Sequence, residues 1–300
     1  MPATRRFFLT LAAALSLSAC GTLGFGSAKP APPKPVQTAK PQAVIGLALG
    51  GGASKGFAHI GVIKVLQENR IPVKVVTGTS AGAVVGSLYA SGMNAERLAQ
   101  EADAMQKTDL VDLTLSTSGF IRGEKLQNFI NRKVGNRPME NFPLRFGAVA
   151  TEFDSGRSVV FSRGNAGQAV RASASIPNVF QPALIGGKRY VDGGLTAPVP
   201  VGAARGLGAN VVIAVDISAK PARLTESGFF SYLDQSLNIM NTAALNNELA
   251  GADVVIKPQV QRLGAVGGFD ERAQAIKLGE DAARAALPKI RAVLSRYRLQ

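Results

Sequence analysis

The chain is short of two residue types on which much enzyme chemistry depends: its 300 residues include one cysteine and one histidine. A lone cysteine, Cys20, excludes an intrachain disulfide, so stability must come from the core. No cluster of His, Cys, Asp or Glu stands at metal-ligand spacing, and neither a metal nor another cofactor is expected. His59, the only histidine, is the only candidate for the imidazole of a Ser-His-Asp triad. Acidic residues are also scarce, 20 against 34 Lys and Arg, giving a formal charge of +14. The basic residues are dispersed rather than blocked together, so nucleic acid is not the expected partner. Attraction to anionic lipid headgroups and simple surface solvation both fit that balance. Charged residues make up 18% of the chain and hydrophobic ones 46%, enough apolar material for an ordered core.

The first residues read as an address. Arg5 and Arg6 precede an apolar run over residues 7–19, too short to cross a bilayer of about 30 Å as a helix. This is the pattern of a secretory leader, residues 1–19, and its loss would leave a charge of +12. Leu17-Ser18-Ala19-Cys20 resembles the lipobox of bacterial lipoproteins, in which the cysteine is acylated and becomes the first mature residue. Gly21 follows where an Asp would signal retention in the inner membrane, so the expected location is the outer membrane, facing the periplasm. Residues 20–42 are rich in Pro, Ala and Lys and lack apolar periodicity, which suits a semi-extended tether to the lipid surface.

From residue 43 to 300 the pattern is that of one domain, without internal repeats or a second linker. Short apolar runs at 44–49, 73–76, 146–150, 211–215 and 254–256 predict buried strands. Helical spacing predicts helices over 57–69, 81–90, 95–105 and 125–133, and through the last thirty residues. Strands alternating with helices imply a mostly parallel α/β sheet covered on both faces.

Two glycine clusters carry the chemistry. Gly50-Gly51-Gly52-Ala53-Ser54-Lys55-Gly56 lies between the first strand and the first helix, where backbone N–H groups and a helix N-terminus favour an anion. A phosphate-binding Walker loop is excluded, because Lys55 precedes Gly56 instead of following the second glycine of that motif. A dinucleotide site is disfavoured, because the second strand ends in Thr77-Gly78 and not in an acidic residue. The remaining anion is the oxyanion of a tetrahedral acyl intermediate. Gly78-Thr79-Ser80-Ala81-Gly82 then matches the G-x-S-x-G nucleophile elbow, placed between a β-branched strand and an apolar helix.

His59 lies upstream of Ser80, in the first helix, where packing behind the glycine loop is its expected role. The base must then be a carboxylate. Asp192, followed by Gly193 and Gly194, is the best placed, with Asp154 and Asp216 as rivals; Asp216 ends an apolar strand and could equally tie down a loop. An ordinary Asp is a poor base at neutral pH and must be desolvated or hydrogen-bonded to serve.

The loop Gly50–Gly56 running into Phe57-Ala58-His59-Ile60-Gly61-Val62, the elbow Gly78–Gly82, the segment from Ala172-Ser173-Ala174-Ser175-Ile176-Pro177 to Pro182, and Asp192-Gly193-Gly194 together resemble the patatin-like phospholipases, over about residues 43–215. The resemblance implies a three-layer α/β/α sandwich with a mostly parallel central sheet, Ser80 as nucleophile and Asp192 as base. It implies an oxyanion hole from the backbone amides of Gly50, Gly51 and Gly52, with Lys55 where the family often has Arg, and with Gly56, Gly78, Gly82, Gly193 and Gly194 as motif support. Lys lacks the planar fork of Arg, which weakens any equivalent role. The implied substrates are acyl esters of phospholipids, lysophospholipids or neutral lipids, cleaved without a metal. An inactive lipid-binding or envelope-assembly module, or an acyltransferase using the same dyad, are the alternatives. Phe57, Ile176, Val179 and Phe180 are candidate walls of an acyl pocket.

Overall fold

A computed structural model describes residues 40–106, 108, 110–114, 116, 119–218, 228–261, 263 and 270–299. The expected leader, Cys20 and the tether as far as residue 39 lie outside the described residues. Lys40 donates to the Ser295 carbonyl at 2.8 Å, and Ala43 to that of Arg298 at 2.9 Å.

The sheet begins with β1 (Ile45–Leu49), an apolar run buried along its whole length. Its parallel neighbours are β2 (Val73–Thr79) on one side and β7 (Val211–Val215) on the other. β7 pairs in parallel with β8 (Val254–Ile256), and β2 with β3 (Arg145–Glu152). Beyond β3 the direction reverses: β4 (Ser158–Phe161) and β6 (Lys188–Asp192) both run antiparallel to it, and β5 (Ala183–Ile185) antiparallel to β6. The strand order is β5-β6-β3-β2-β1-β7-β8, with β4 also on β3.

The five predicted strands are all present. The antiparallel group was not predicted, because these strands are short: β4 alternates exposed with half-buried residues, and β6 opens on two exposed, charged ones. β2 runs three residues beyond the predicted 73–76. Thr77 and Thr79 look like a strand end, but Thr77 pairs with both β1 and β3 and Thr79 still pairs with β3. Their buried hydroxyls are satisfied by the carbonyls of Pro200 (2.8 Å) and Ala197 (2.7 Å).

Side-chain alternation divides the core into unequal halves. Ile45, Leu47 and Leu49 of β1, with Val211, Ile213 and Val215 of β7, face the larger one. That face is covered by α1 (Ala58–Glu68), α2 (Ala81–Ala90), α3 (Ala95–Ala104), α4 (Glu124–Lys133) and the long α9 (Arg272–Leu294). α1 and α9 meet backbone to backbone: a Cβ on Gly279 would stand 2.0 Å from the Ala58 carbonyl oxygen, and one on Gly61 2.0 Å from that of Ile276. The opposite face carries the smaller Ala48, Val212 and Ala214. It is covered by α6 (Val201–Gly206) and α8 (Thr242–Ala250), completing three layers. Of the remaining helices, α5 (Ala166–Ser173) packs beside α4 and β3, and α7 (Phe229–Met240) precedes α8. No helix among the described residues is long and apolar enough to cross a membrane.

Candidate active site

Each glycine of the elbow answers a specific steric demand. β2 brings Thr79 opposite Val149 of β3. The chain then turns at Ser80, with φ +53° and ψ −121°, directly into α2. L-residues rarely adopt such dihedrals, and they persist only where the surroundings enforce them. A Cβ on Gly78 would lie 2.3 Å from the Gly82 oxygen, and one on Gly82 2.1 Å from the Leu49 oxygen. The turn is therefore closed to any larger residue at either position. Gly51 lies against Ser80, its missing Cβ 3.3 Å from that of the serine, and Gly56 packs on Ala81 in the same way at 2.7 Å.

The acid reaches the same level by strand register. Ala150 of β3 pairs with Asp192 at the end of β6, while the preceding Val149 pairs with Thr79. Two adjacent residues of β3 thus stand between the strand that leads to Ser80 and the strand that ends in Asp192. A Cβ on Gly193 would lie 2.1 Å from the Val149 oxygen, so the chain beyond Asp192 is pressed onto β3.

The electrostatics of Asp192 depart from those of a surface carboxylate. Its Oδ1 accepts the Gly194 N–H at 2.7 Å, while the buried Oδ2 has no hydrogen-bond partner among the described residues. Burial pushes the pKa up from 3.8 to about 6, opposed by the Gly194 amide and by the Ser80 hydroxyl, whose neighbourhood favours the ionised form. An acid so tuned is ionised at neutral pH yet more basic than a solvated Asp.

The rival carboxylates are committed elsewhere. Asp154 is exposed and ion-paired with Arg189. Asp216 accepts from the Ser218 amide (3.0 Å) and hydroxyl (2.6 Å) and pairs with Lys257 at 3.3 Å, so it ties down a loop. His59 is fully buried, with Nε2 2.8 Å from the Gly50 carbonyl oxygen. Burial holds its pKa down at about 4, so the ring is neutral and braces the glycine loop.

The amides expected to form an oxyanion hole are not equally free. Gly50 donates its amide to the Val215 carbonyl and Gly51 donates to that of Pro198, both at 3.0 Å. Two of the three expected donors are therefore spent on holding the loop to the sheet. Of the three glycines, Gly52 alone has an amide without a partner among the described residues, and the Ala53 amide beside it is likewise unpaired. Ala53 is held at φ +49°, at the head of a 3-10 turn (Ala53–Phe57) that leads into α1. Lys55 is buried in that turn.

Among the candidate pocket residues, Phe57 belongs to the larger core, with the Arg272 guanidinium 5.8 Å above its ring. Val179 is buried, and Ile176 and Phe180 are half-buried on the segment after α5. Ser173, which the sequence pattern leaves outside the candidate site, is wholly buried, and its Oγ accepts the Ser80 N–H at 3.0 Å. The available signal was a pair of hydroxyls, Ser173 and Ser175, inside an otherwise small, apolar stretch. Among the described residues, no three or more His, Cys, Asp or Glu side chains could jointly hold a metal ion.

The family model of patatin-like phospholipases matches residues 47–205. An uncharacterised NTE family protein of Mycobacterium tuberculosis is 38% identical over 187 residues, 61% of this chain and 52% of that protein. The lysophospholipase NTE1 of Coccidioides immitis is 35% identical over 182 residues, 58% of this chain and 12% of that protein. The matched region thus spans about half of the mycobacterial relative and a far smaller part of the fungal one. Among solved structures, VipD from Legionella pneumophila is alike in fold, with a TM-score of 0.58 at 16% identity over 83% of this chain and 67% of that one.

Proposed function

The chain belongs to the patatin-like phospholipases, and on that premise we propose that it is a serine hydrolase of lipid acyl esters working through a Ser80–Asp192 dyad. The observation that carries this reading is the buried Oδ2 of Asp192, without a hydrogen-bond partner among the described residues, beside a nucleophile elbow held at φ +53°. Asp192 takes the Ser80 proton as the hydroxyl oxygen attacks the ester carbonyl. The tetrahedral oxyanion is received by the uncommitted amides of Gly52 and Ala53, its negative charge favoured by the helix starts behind them. Collapse expels the alcohol, which leaves with the proton from Asp192, and an acyl-Ser80 ester remains. Water, deprotonated by the same carboxylate, then releases the fatty acid.

A pKa near 6 suits both halves of this cycle, because the carboxylate is mostly ionised at neutral pH and still holds a transferred proton better than a solvated Asp would. The substrate class is a phospholipid or lysophospholipid acyl ester, in keeping with the family and with the name of the fungal relative. The leader and Cys20 belong to the same proposal: acylated at Cys20, the protein is held at the periplasmic face of the outer membrane, beside its substrate. Fluorophosphonate labelling tests the chemistry. Wild type should label and turn over a lysophospholipid, Ser80→Ala should do neither, and Asp192→Asn should label far more slowly. Labelling that survives the loss of Ser80 would refute the assignment.

A further inference from the structure

The C-terminal turn of α5 makes two hydrogen bonds that the roles of Ser80 and Asp192 leave unexplained. Ser173 Oγ donates to the Val149 carbonyl at 2.5 Å and accepts the Ser80 N–H at 3.0 Å. Two residues on, the Ser175 carbonyl accepts the Asp192 N–H at 2.8 Å. One three-residue turn therefore grips the backbone of the nucleophile at one end and that of the acid at the other.

The chemistry of a hydroxyl makes this grip directional. Ser173 has a single O–H proton, and Val149 takes it, so the lone pairs left for Ser80 point in a fixed direction. Ser80 needs such an external acceptor, because a residue at the start of a helix has no intrahelical partner for its N–H. The anchor on Val149 is itself significant, since that residue pairs with Thr79 and its carbonyl underlies Gly193. The Ser175 hydroxyl is occupied within the turn, on the Arg171 carbonyl at 2.8 Å, which stiffens the same segment. On its outer side the segment continues to Val179, whose carbonyl accepts the amides of Phe120 (2.9 Å) and Ile121 (3.0 Å).

We propose that Ser173 is a positioning residue which, together with the Ser175 carbonyl, sets the separation between the Ser80 hydroxyl and the Asp192 carboxylate. The proposal rests on the Ser80–Asp192 reading given above. Ser173 touches no reacting atom and acts through the backbone of Ser80. Its loss leaves the Ser80 N–H without its acceptor and lets the elbow relax away from the acid.

The test uses the full chain as wild type, Ser173→Ala and Ser173→Cys. Hydrolysis of a soluble p-nitrophenyl ester is followed across pH, beside fluorophosphonate labelling and thermal melting. In Ser173→Ala, kcat should fall about 10- to 100-fold with KM unchanged, the scale expected for a sub-ångström to ångström misplacement of reacting groups. The acid limb of kcat/KM should move to higher pH, because the Ser80 hydroxyl that favours ionised Asp192 has drawn away. Ser173→Cys, whose sulfur is a weak acceptor, should fall between the two. A folded Ser173→Ala with wild-type kcat and an unmoved acid limb overturns the proposal, even if its melting temperature has dropped. If Ser173→Ala does not fold, Ser173→Cys decides: a reduced kcat supports the proposal and a wild-type kcat overturns it. A wild-type chain that neither labels nor turns over ester overturns the dyad reading itself, an outcome distinct from an active wild type beside an unimpaired Ser173 variant.

Discussion

Replacing Asp192 with Asn should make the protein more stable at alkaline pH and leave it little changed in acid. The exchange keeps the side-chain shape and the oxygen that accepts the Gly194 N–H, and puts an uncharged NH2 group in place of the ionisable oxygen. In the folded chain that group is raised from 3.8 to about 6. At about 1.4 kcal/mol per pH unit, the shift corresponds to roughly 3 kcal/mol. The pKa is raised, so the folded state binds the proton more tightly than the unfolded state does. The associated stability is complete below 3.8, declines as pH rises, and is gone once pH has passed about 6. His59, lowered from 6.5 to about 4, contributes with the opposite sign: its stability is present above 6.5 and lost as pH falls toward 4. The two slopes oppose each other in the wild type, but the difference between wild type and Asp192→Asn cancels the histidine. Urea unfolding of both full-length chains at about pH 4 and about pH 8 should show the variant gaining roughly 2–3 kcal/mol on the wild type between the two conditions. An offset between the chains that is the same at both pH values would refute the assigned cost of ionising Asp192.

Three further outcomes follow from the same geometry. The kcat/KM of the wild type should fall about tenfold per pH unit below about 6, as Asp192 takes up its proton; a flat profile through that range would remove Asp192 as the base. Gly194→Ala places a Cβ 3.0 Å from Asp192 Oδ1, and steady-state hydrolysis should drop about tenfold or more with little change in melting; unaltered turnover would show that the carboxylate has room to spare. Gly279→Ala drives a Cβ to 2.0 Å from the Ala58 oxygen and should cost about 1–3 kcal/mol in urea unfolding. That variant's folded fraction should hydrolyse ester at the wild-type rate, and equal stability would mean that α1 and α9 separate freely.

How much of this was legible in the sequence depended on whether the determining force was local. β1 and β7 are buried on both faces and read as unbroken apolar runs, so the parallel half of the sheet was plain. β4 is exposed on alternate positions and β6 begins with the exposed pair Lys188 and Arg189, and their pairing with β3 is a long-range event that no short window reveals. Ser80 was legible because the crowding that demands Gly78 and Gly82 arises within five residues and from the adjoining strand end. Asp192 could be singled out by its paired glycines, but its meeting with Ser80 depends on β3 register. The glycine loop announced a close approach of backbone without telling which amides were already taken; only the carbonyls of Val215 and Pro198, distant in sequence, settle that for Gly50 and Gly51. Ser173 stayed hidden for the same reason, since a serine in a helix says nothing about an acceptor needed at the start of another helix.

Because Thr79 and Asp192 are both matched to the main chain of β3, the positions of Ser80 and Asp192 are insulated from drift in that strand's composition. Side chains at 149 and 150 can be traded for others of similar bulk with the peptide ladder intact. A change in length is another matter. One residue added between Val149 and Ala150 would swing a neighbouring strand by half a pleat and turn the carboxylate to the far face. Lineages carrying this architecture should accordingly accumulate replacements in β3 freely while admitting almost no insertions or deletions there.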